Sequence, residues 1–231
     1  MAKAFSRIDA QSERQSDQAL KLIKNAIILC HLPPGTSFSE AELSGRFGLA
    51  RAATRAALMR LAEVGLVEPV ARHGFLVTPI TVASIRELFE LRLMIEPQAA
   101  ALAIGKVDVA KLRKLNSSAH LAGNDSQQLD FVEDNRAFHA EIAAATGNHR
   151  LFRLLESLAD EMQRLVRLGL FGASGSEAER HNADSQHEAL IAAFEAGDRE
   201  GAKIAARHHI EHARMLVLNH APISNSPISL T

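Results

Sequence analysis

Ser39–Val77 reads SEAELSGRFGLARAATRAALMRLAEVGLVEPVARHGFLV. Two segments with apolar residues at helical spacing, about Glu40–Phe47 and Ala50–Glu63, flank a turn at Gly48. A Gly65-Leu66-Val67 step then leads into two β-prone runs, Leu66–Val70 and Phe75–Pro79. The order helix, tight turn, helix, hairpin predicts a winged helix-turn-helix, whose second helix can enter the major groove of DNA. Leu43, Phe47, Leu49, Ala57, Leu58, Leu61, Leu66 and Val67 would form its core. Ser39 suits an N-cap, with Glu42 three residues later completing a capping box, and Gly65 suits the C′ position. Arg51 and Arg55 lie four apart on one face of the second helix. They occupy its first turns, the part of a recognition helix that meets base edges and phosphates. A small bundle with solvated arginines would show the same helical pattern. The hairpin with its basic tip, Arg72-His73-Gly74, favours the winged helix. The candidate DNA-binding set is Arg51, Thr54, Arg55, His73 and Gly74.

The chain has 231 residues, 47% of them hydrophobic, enough to bury the cores of two domains. Its net charge of −1 argues against a broadly basic nucleic-acid coat, but the charge is unevenly divided. Residues 1–79 hold ten Lys/Arg against seven Asp/Glu, giving +3; residues 80–231 hold sixteen against twenty, giving −4. A mildly basic front and an acidic back suit localised DNA contact. With one cysteine, Cys30, no disulfide can form within the chain, which points to a reducing cytoplasm. There is no apolar stretch of signal-peptide or membrane-helix character, so a soluble cytoplasmic protein is expected. Trp and Tyr are absent, which disfavours stacking on single-stranded nucleic acid.

Residues 1–12 are polar and are expected to fray; from about Ser16, Ala19, Leu20, Ile23, Ala26, Ile27 and Cys30 form a helical stripe that ends at Pro33-Pro34-Gly35. From Thr81 to Asn219 the pattern is helical throughout. Six helices are expected, over about Thr81–Gly105, Asp108–Leu121, Gln127–Thr146, Arg150–Phe171, Glu177–Ala196 and Asp198–Leu218. Gly123–Ser126, Gly147-Asn148, Gly172–Ser176 and Gly197-Asp198 punctuate them. The expected organisation is mainly α: a winged helix-turn-helix over 1–79, an antiparallel helical bundle over 80–220 and a disordered tail over 221–231.

Amphipathic helices place polar residues outward. Three helices of the second domain break this rule. Asn135 and His139 share the stripe of Val132, Ile142 and Ala143; His187 travels with Leu190, Ile191 and Phe194; His209 travels with Ala202, Ala205 and Ala206, and is preferred to its neighbour His208 for that reason. His187 lies ten residues before Gly197 and His209 twelve after it, roughly 15 and 18 Å from the same hairpin turn at 1.5 Å per residue. They should return to similar height and can meet Asn135 and His139 inside the bundle. Three imidazoles and an amide oxygen suit Zn²⁺ or a neighbouring divalent transition metal, with positions left for water or a ligand carboxylate. Three hydrogen-bonded core histidines are the structural alternative. Arg92 also lies on an apolar stripe, either as a clamp for a carboxylate ligand or as the partner of a bundle Glu or Asp.

Together the two halves resemble the GntR family of bacterial transcription regulators, in the FadR-like branch with an FCD ligand domain. The resemblance rests on Ile27-Ile28, Pro34-Gly35, Glu40-Ala41-Glu42-Leu43, Arg51, Arg55–Leu58, Gly65-Leu66-Val67 and His73-Gly74 in the first half. In the second it rests on Leu91-Arg92 with Glu96, Asn135–His139, Gly147-Asn148, His187, Gly197-Asp198 and His209-Ile210. It implies that Asn135, His139, His187 and His209 are metal ligands. Many members carry Asp at the first of these, so the site here has one negative charge fewer. The family's usual Ser-Arg-Thr-Pro-Val-Arg-Glu appears as Ala50–Ala56: both arginines survive, while the hydroxyls expected at Ala50 and Ala52, and an N-cap with them, are lost.

The expected function is a ligand-responsive transcription regulator. It would be a repressor and homodimer that leaves a pseudo-palindromic operator when a small carboxylate binds near the metal and Arg92. The alternatives are a regulator for which the metal itself is the signal, and a metalloenzyme. The latter is disfavoured because no HExxH-like arrangement places a general base beside the histidines.

Overall fold

The computed structural model describes residues 2–117, 124–171 and 177–220, with side chains from Glu13 onward and, in the last segment, from His181. The chain divides into two compact units, Met1–Pro79 and Ile80–Thr231. The expectations placed on Leu121, Gly123, Gly172–Ser176 and the tail fall outside the described residues.

The first unit contains α1 (Ala2–Ile28), β1 (Ser37–Phe38), α2 (Glu40–Phe47), α3 (Arg51–Glu63), β2 (Val67–Val70) and β3 (Gly74–Val77). Its amino end differs from the sequence expectation. Residues 2–12 are helical rather than frayed, because Ala, Lys, Arg and Gln dominate there and all are strong helix formers. Ala19, Ile23 and Ile27 of α1 are buried with Leu43, Ala57, Leu58, Leu61, Leu66 and Val77 in one core. The capping box forms as expected: Ser39 Oγ accepts from the Glu42 amide (3.2 Å), and Glu42 accepts from the Ser39 amide (2.7 Å). Gly48 turns the chain in the left-handed region at φ 64°, and Ala50 precedes α3 as an N-cap residue with no side-chain cap. The sheet has a third strand that sequence reading missed. β1 pairs antiparallel with β3, which also pairs with β2, giving the order β1-β3-β2. At two residues, β1 is too short to show an alternation of side chains.

The second unit contains α4 (Val82–Ala103), α5 (Val109–Asn116), α6 (Asp125–Ala145), α7 (His149–Phe171), α8 (Glu177–Ala196) and α9 (Arg199–His220), six helices among the described residues. Thr81 caps α4 in a capping box with Ser84, Asp108 caps α5, and Asn124 caps α6 with Gln127. The core centres on Phe138, Leu112, Leu190, Ile191, Ala202 and Ala206. α9 packs on α4, α7 and α8, and α6 packs on α7, α4 and α5, so residues from these six helices can face one interior. Among the described residues no helix is long and apolar enough to cross a membrane.

Candidate functional site

The bundle brings His139, His187 and His209 together. One ring nitrogen from each lies within 4.8 Å of the others, and the ring centroids are 4.7–5.5 Å apart. His187 and His209 are fully inside and His139 is half-buried. Among the described residues, His139 Nε2, His187 Nε2 and His209 Nδ1 are buried without a hydrogen-bond partner. Burial holds both His187 and His209 well below the usual imidazole range, and the neighbouring cationic groups act in the same direction. Neutral rings at His187 and His209, with buried nitrogens that lack partners among the described residues, are what a metal needs and what a hydrogen-bonded core would avoid. The donor set therefore fits a borderline divalent ion.

Each ring is held from behind. His187 Nδ1 lies 3.0 Å from Asn116 Oδ1 and donates to it. The Asn116 amide is oriented by donating through Nδ2 to Glu188 Oε1 (3.0 Å) and the Asp184 carbonyl (3.3 Å). That network assigns the proton to Nδ1 and leaves the Nε2 lone pair facing the other rings. Glu188 pairs in turn with exposed Arg113, which also holds Glu195. On the other side, Phe138 stacks on the His187 ring at 4.1 Å with an interplanar angle of 10°. His139 Nδ1 faces Glu96 Oε2 at 3.4 Å, the carboxylate–histidine arrangement common behind metal ligands.

Arg92 meets the second sequence reading, a pair with a bundle carboxylate. It is 4% exposed and pairs with Glu96 through Nε–Oε1 and through Nη2–Oε2 at 3.2 Å. Nη1 is buried and, among the described residues, has no partner. Burial pushes the Glu96 carboxyl up, but Arg92 and His139 outweigh it and hold it down at about 2. Arg92, Glu96, Asn135, His139 and His209 line one cavity of about 620 Å³, open solvent at its mouth included. Asn135, one turn before His139 on α6, thus faces the same space. Arg136 also reaches it but is engaged by Asp160 (2.8 Å) and Glu156 (3.4 Å).

Sequence reading missed Asn116 and assigned Glu96 no role. Asn116 carried a signal: it follows Leu112 by four residues, and both are buried on one face of α5. Glu96 stands four after Arg92, the spacing of a helical ion pair.

In the first unit, Arg51 is exposed at the start of α3, and Arg55 is exposed with a 3.8 Å pair to Glu40. Arg60 is held by Asp17 at 2.6 Å. Thr54 must be withdrawn from the DNA-facing set. It is 0% exposed, its hydroxyl donates to the Ala50 carbonyl (3.2 Å), and it lies 2.9 Å from Ser44 Oγ. Its position was legible, since Thr54, Ala57, Leu58 and Leu61 share one face. At the wing, Arg72 (φ 66°) and His73 are exposed. Gly74 has φ +88°, and a Cβ there would lie 2.4 Å from the Phe38 carbonyl oxygen, so its part is to let the hairpin approach β1.

Comparisons with known proteins agree in both halves. Residues 15–77 match the model of the bacterial regulatory proteins of the gntR family, and residues 87–212 match that of the FCD domain. The HTH-type transcriptional repressor RspR of Escherichia coli is 25% identical over 199 residues, covering 85% of this chain and 86% of its own. The HTH-type transcriptional regulator YdhC of Bacillus subtilis is 24% identical over 194 residues, covering 82% and 85%. The solved structure of McbR/YncC from E. coli superposes with a TM-score of 0.74 at 22% identity, over 89% of this chain and 97% of that one, and shares the fold. The chain belongs to the GntR family of bacterial transcriptional regulators, with a winged helix-turn-helix followed by an FCD domain.

Proposed function

We propose that this regulator is a repressor whose helical unit holds a divalent transition metal, zinc in the first instance, and binds a small carboxylate that releases the protein from operator DNA. One observation carries the reading: among the described residues, three buried imidazole nitrogens without partners converge beside an equally unpartnered guanidinium nitrogen, in a chain that also carries a winged helix-turn-helix. The metal would be held by His139, His187 and His209, with Asn135 as the fourth protein ligand. Once bound, such an ion supplies a Lewis-acid centre for an anionic ligand oxygen. Glu96 and Asn116 keep the rings of His139 and His187 turned toward it. Arg92, fixed by Glu96, offers Nη1 to the ligand carboxylate.

DNA binding is assigned to Arg51 for base readout, Arg55 for phosphate, and the wing tip at His73-Gly74. Thr54 serves them indirectly by fixing the start of α3. The pair between Arg55 and Glu40 is exposed and weak enough to exchange for a phosphate. A homodimer on a pseudo-palindromic site supplies two half-site contacts. Support for it comes from apolar residues left in the open. Leu91, Met94 and Leu102 lie on α4, and Ile204 and Met215 on α9, with Met94 and Ile204 69% and 68% exposed. α9 packs against α4, so these residues belong to neighbouring helices. Exposed apolar surface of that kind marks an interaction face. RspR is itself named a repressor, which favours that sign of regulation.

The test is a metal assay joined to a DNA titration. Purified protein should carry about one divalent ion per chain. Its affinity for DNA selected from a random pool should fall when small carboxylates are added to the metal-loaded form. If the ion alone abolishes DNA binding and no carboxylate adds to it, the ion is the signal. A protein with no bound metal and no carboxylate response would overturn the proposal.

A further inference from the structure

The cavity beside the histidines does not end at Arg92. A second cavity of about 430 Å³, open solvent included, lies between α7, α8 and α9. The two share Arg92, Asn135, Met162 and His209 in their walls, so they meet across that group. Their chemistry differs. To that shared group the first adds Glu96, Arg136, His139 and Gln163 as polar wall. Apart from Gln186 and His212, every residue that only the second contributes is apolar, including Leu165, Leu170, Leu216 and Val217.

Gln186 stands out in that apolar wall. It is 6% exposed, and its Nε2 donates to Asn182 Oδ1 at 3.3 Å. Asn182 is oriented by its own contact from Nδ2 to His212 Nε2 at 2.9 Å, which turns its oxygen toward Gln186. With His212 Nε2 as the acceptor at its end, this relay points the Gln186 Nε2 at Asn182. Its Oε1 is buried and, among the described residues, accepts no hydrogen bond. A buried acceptor without a donor is costly, and a ligand hydroxyl or N–H would satisfy it.

We propose that the effector is an amphiphilic carboxylate. Its charged end lies among Arg92 and the histidines, an apolar arm enters the second cavity, and a hydroxyl or N–H on that arm donates to Gln186 Oε1. This rests on the reading above that a carboxylate binds beside Arg92. It adds that affinity and selectivity come from the arm. Small-molecule sites are commonly built in this way, with a large apolar surface and a few fixed polar groups.

Calorimetry on metal-loaded full-length protein tests it with acetate, hexanoate, octanoate and the positional series of monohydroxyoctanoates. Each buried methylene should strengthen binding about fourfold, so octanoate should bind at least about a hundredfold more tightly than acetate. Ala213→Phe and Ala183→Phe, which fill the cavity from two helices, should each remove that gain while leaving acetate binding and metal content unchanged. At least one hydroxylated isomer should bind about fivefold more tightly than octanoate, and Gln186→Leu should erase that preference alone. Equal affinity for acetate and octanoate, or a chain-length gain that survives both filled variants, overturns the apolar arm. No preferred isomer overturns the role of Gln186. Failure of every carboxylate, acetate included, overturns the underlying carboxylate reading and this inference with it.

Discussion

Each unit of the molecule buries a polar cluster between helices, and the two clusters differ in one respect. In the winged helix, Ser44 Oγ donates to the Glu40 carbonyl (2.7 Å) and touches Thr54 Oγ1 (2.9 Å), which donates to the Ala50 carbonyl. Both hydroxyls are engaged within the protein. In the bundle, Arg92, His139, His187 and His209 each retain a buried nitrogen with no partner among the described residues. Burying a polar atom without a hydrogen bond costs of order 1–3 kcal/mol, so four such atoms in one place need a reason. Satisfied polarity is structural and locks α3 on α2. Unsatisfied polarity of this kind is what an ion or ligand from outside the chain would relieve.

The sharpest way to break this contrast is at the histidines. The His139→Ala, His187→Ala double variant should fall from about one bound ion per chain to almost none while remaining helical, read by elemental analysis and circular dichroism. Full metal content would move the ligands elsewhere. Removing a supporting residue should cost less. Asn116→Leu frees the His187 ring, and zinc affinity by competition with a chelator should fall about 10- to 100-fold. In the winged unit, Arg51→Ala should weaken specific DNA binding at least about tenfold, from a lost base contact of about 1–3 kcal/mol. Thr54→Val should behave in the opposite manner. It should lose about 1 kcal/mol in a denaturant melt and, once folded, bind DNA like the parent. A Thr54→Val protein of full stability and poor DNA affinity would restore Thr54 to the contact surface.

The smallest effect is a gradual one with pH. His187 and His209 have depressed pKa values in the folded apoprotein, so the unfolded chain binds more protons than the folded chain below about 6.5. Their contribution to stability is complete above that pH and is lost as pH falls through it. Glu96, held at about 2 against an ordinary 4.5, adds a second loss between those two values. Melts of the apoprotein should show both phases. His187→Gln with His209→Gln should remove the upper one only.

The bundle site was largely legible because polar residues on apolar helical stripes announce themselves. His139 and His209 each broke the pattern of a helix whose other buried positions are apolar, and His187 stood beside Leu190, Ile191 and Phe194. The same logic places Thr54 inside, on the face of Ala57 and Leu61. Asn116 was missed because α5 spans only eight residues, too few for one buried amide to stand out against a stripe. What the sequence could not show was which nitrogens have partners. That depends on Asn116 meeting His187 across 71 positions of chain, and on Glu96 being shared by Arg92 and His139.

The chain of contacts from His187 through Asn116 and Glu188 to Arg113 ends at the surface, where Arg113 and Glu188 are about half exposed. Ions in the medium compete at that outer pair and weaken it. Glu188 would then hold the Asn116 amide less firmly, and with it the support behind a buried imidazole. A centre sealed entirely by Leu and Phe would be deaf to the salt outside. This one has a polar thread running to it, so sodium chloride should shift zinc affinity in the parent and lose most of that influence in Arg113→Ala.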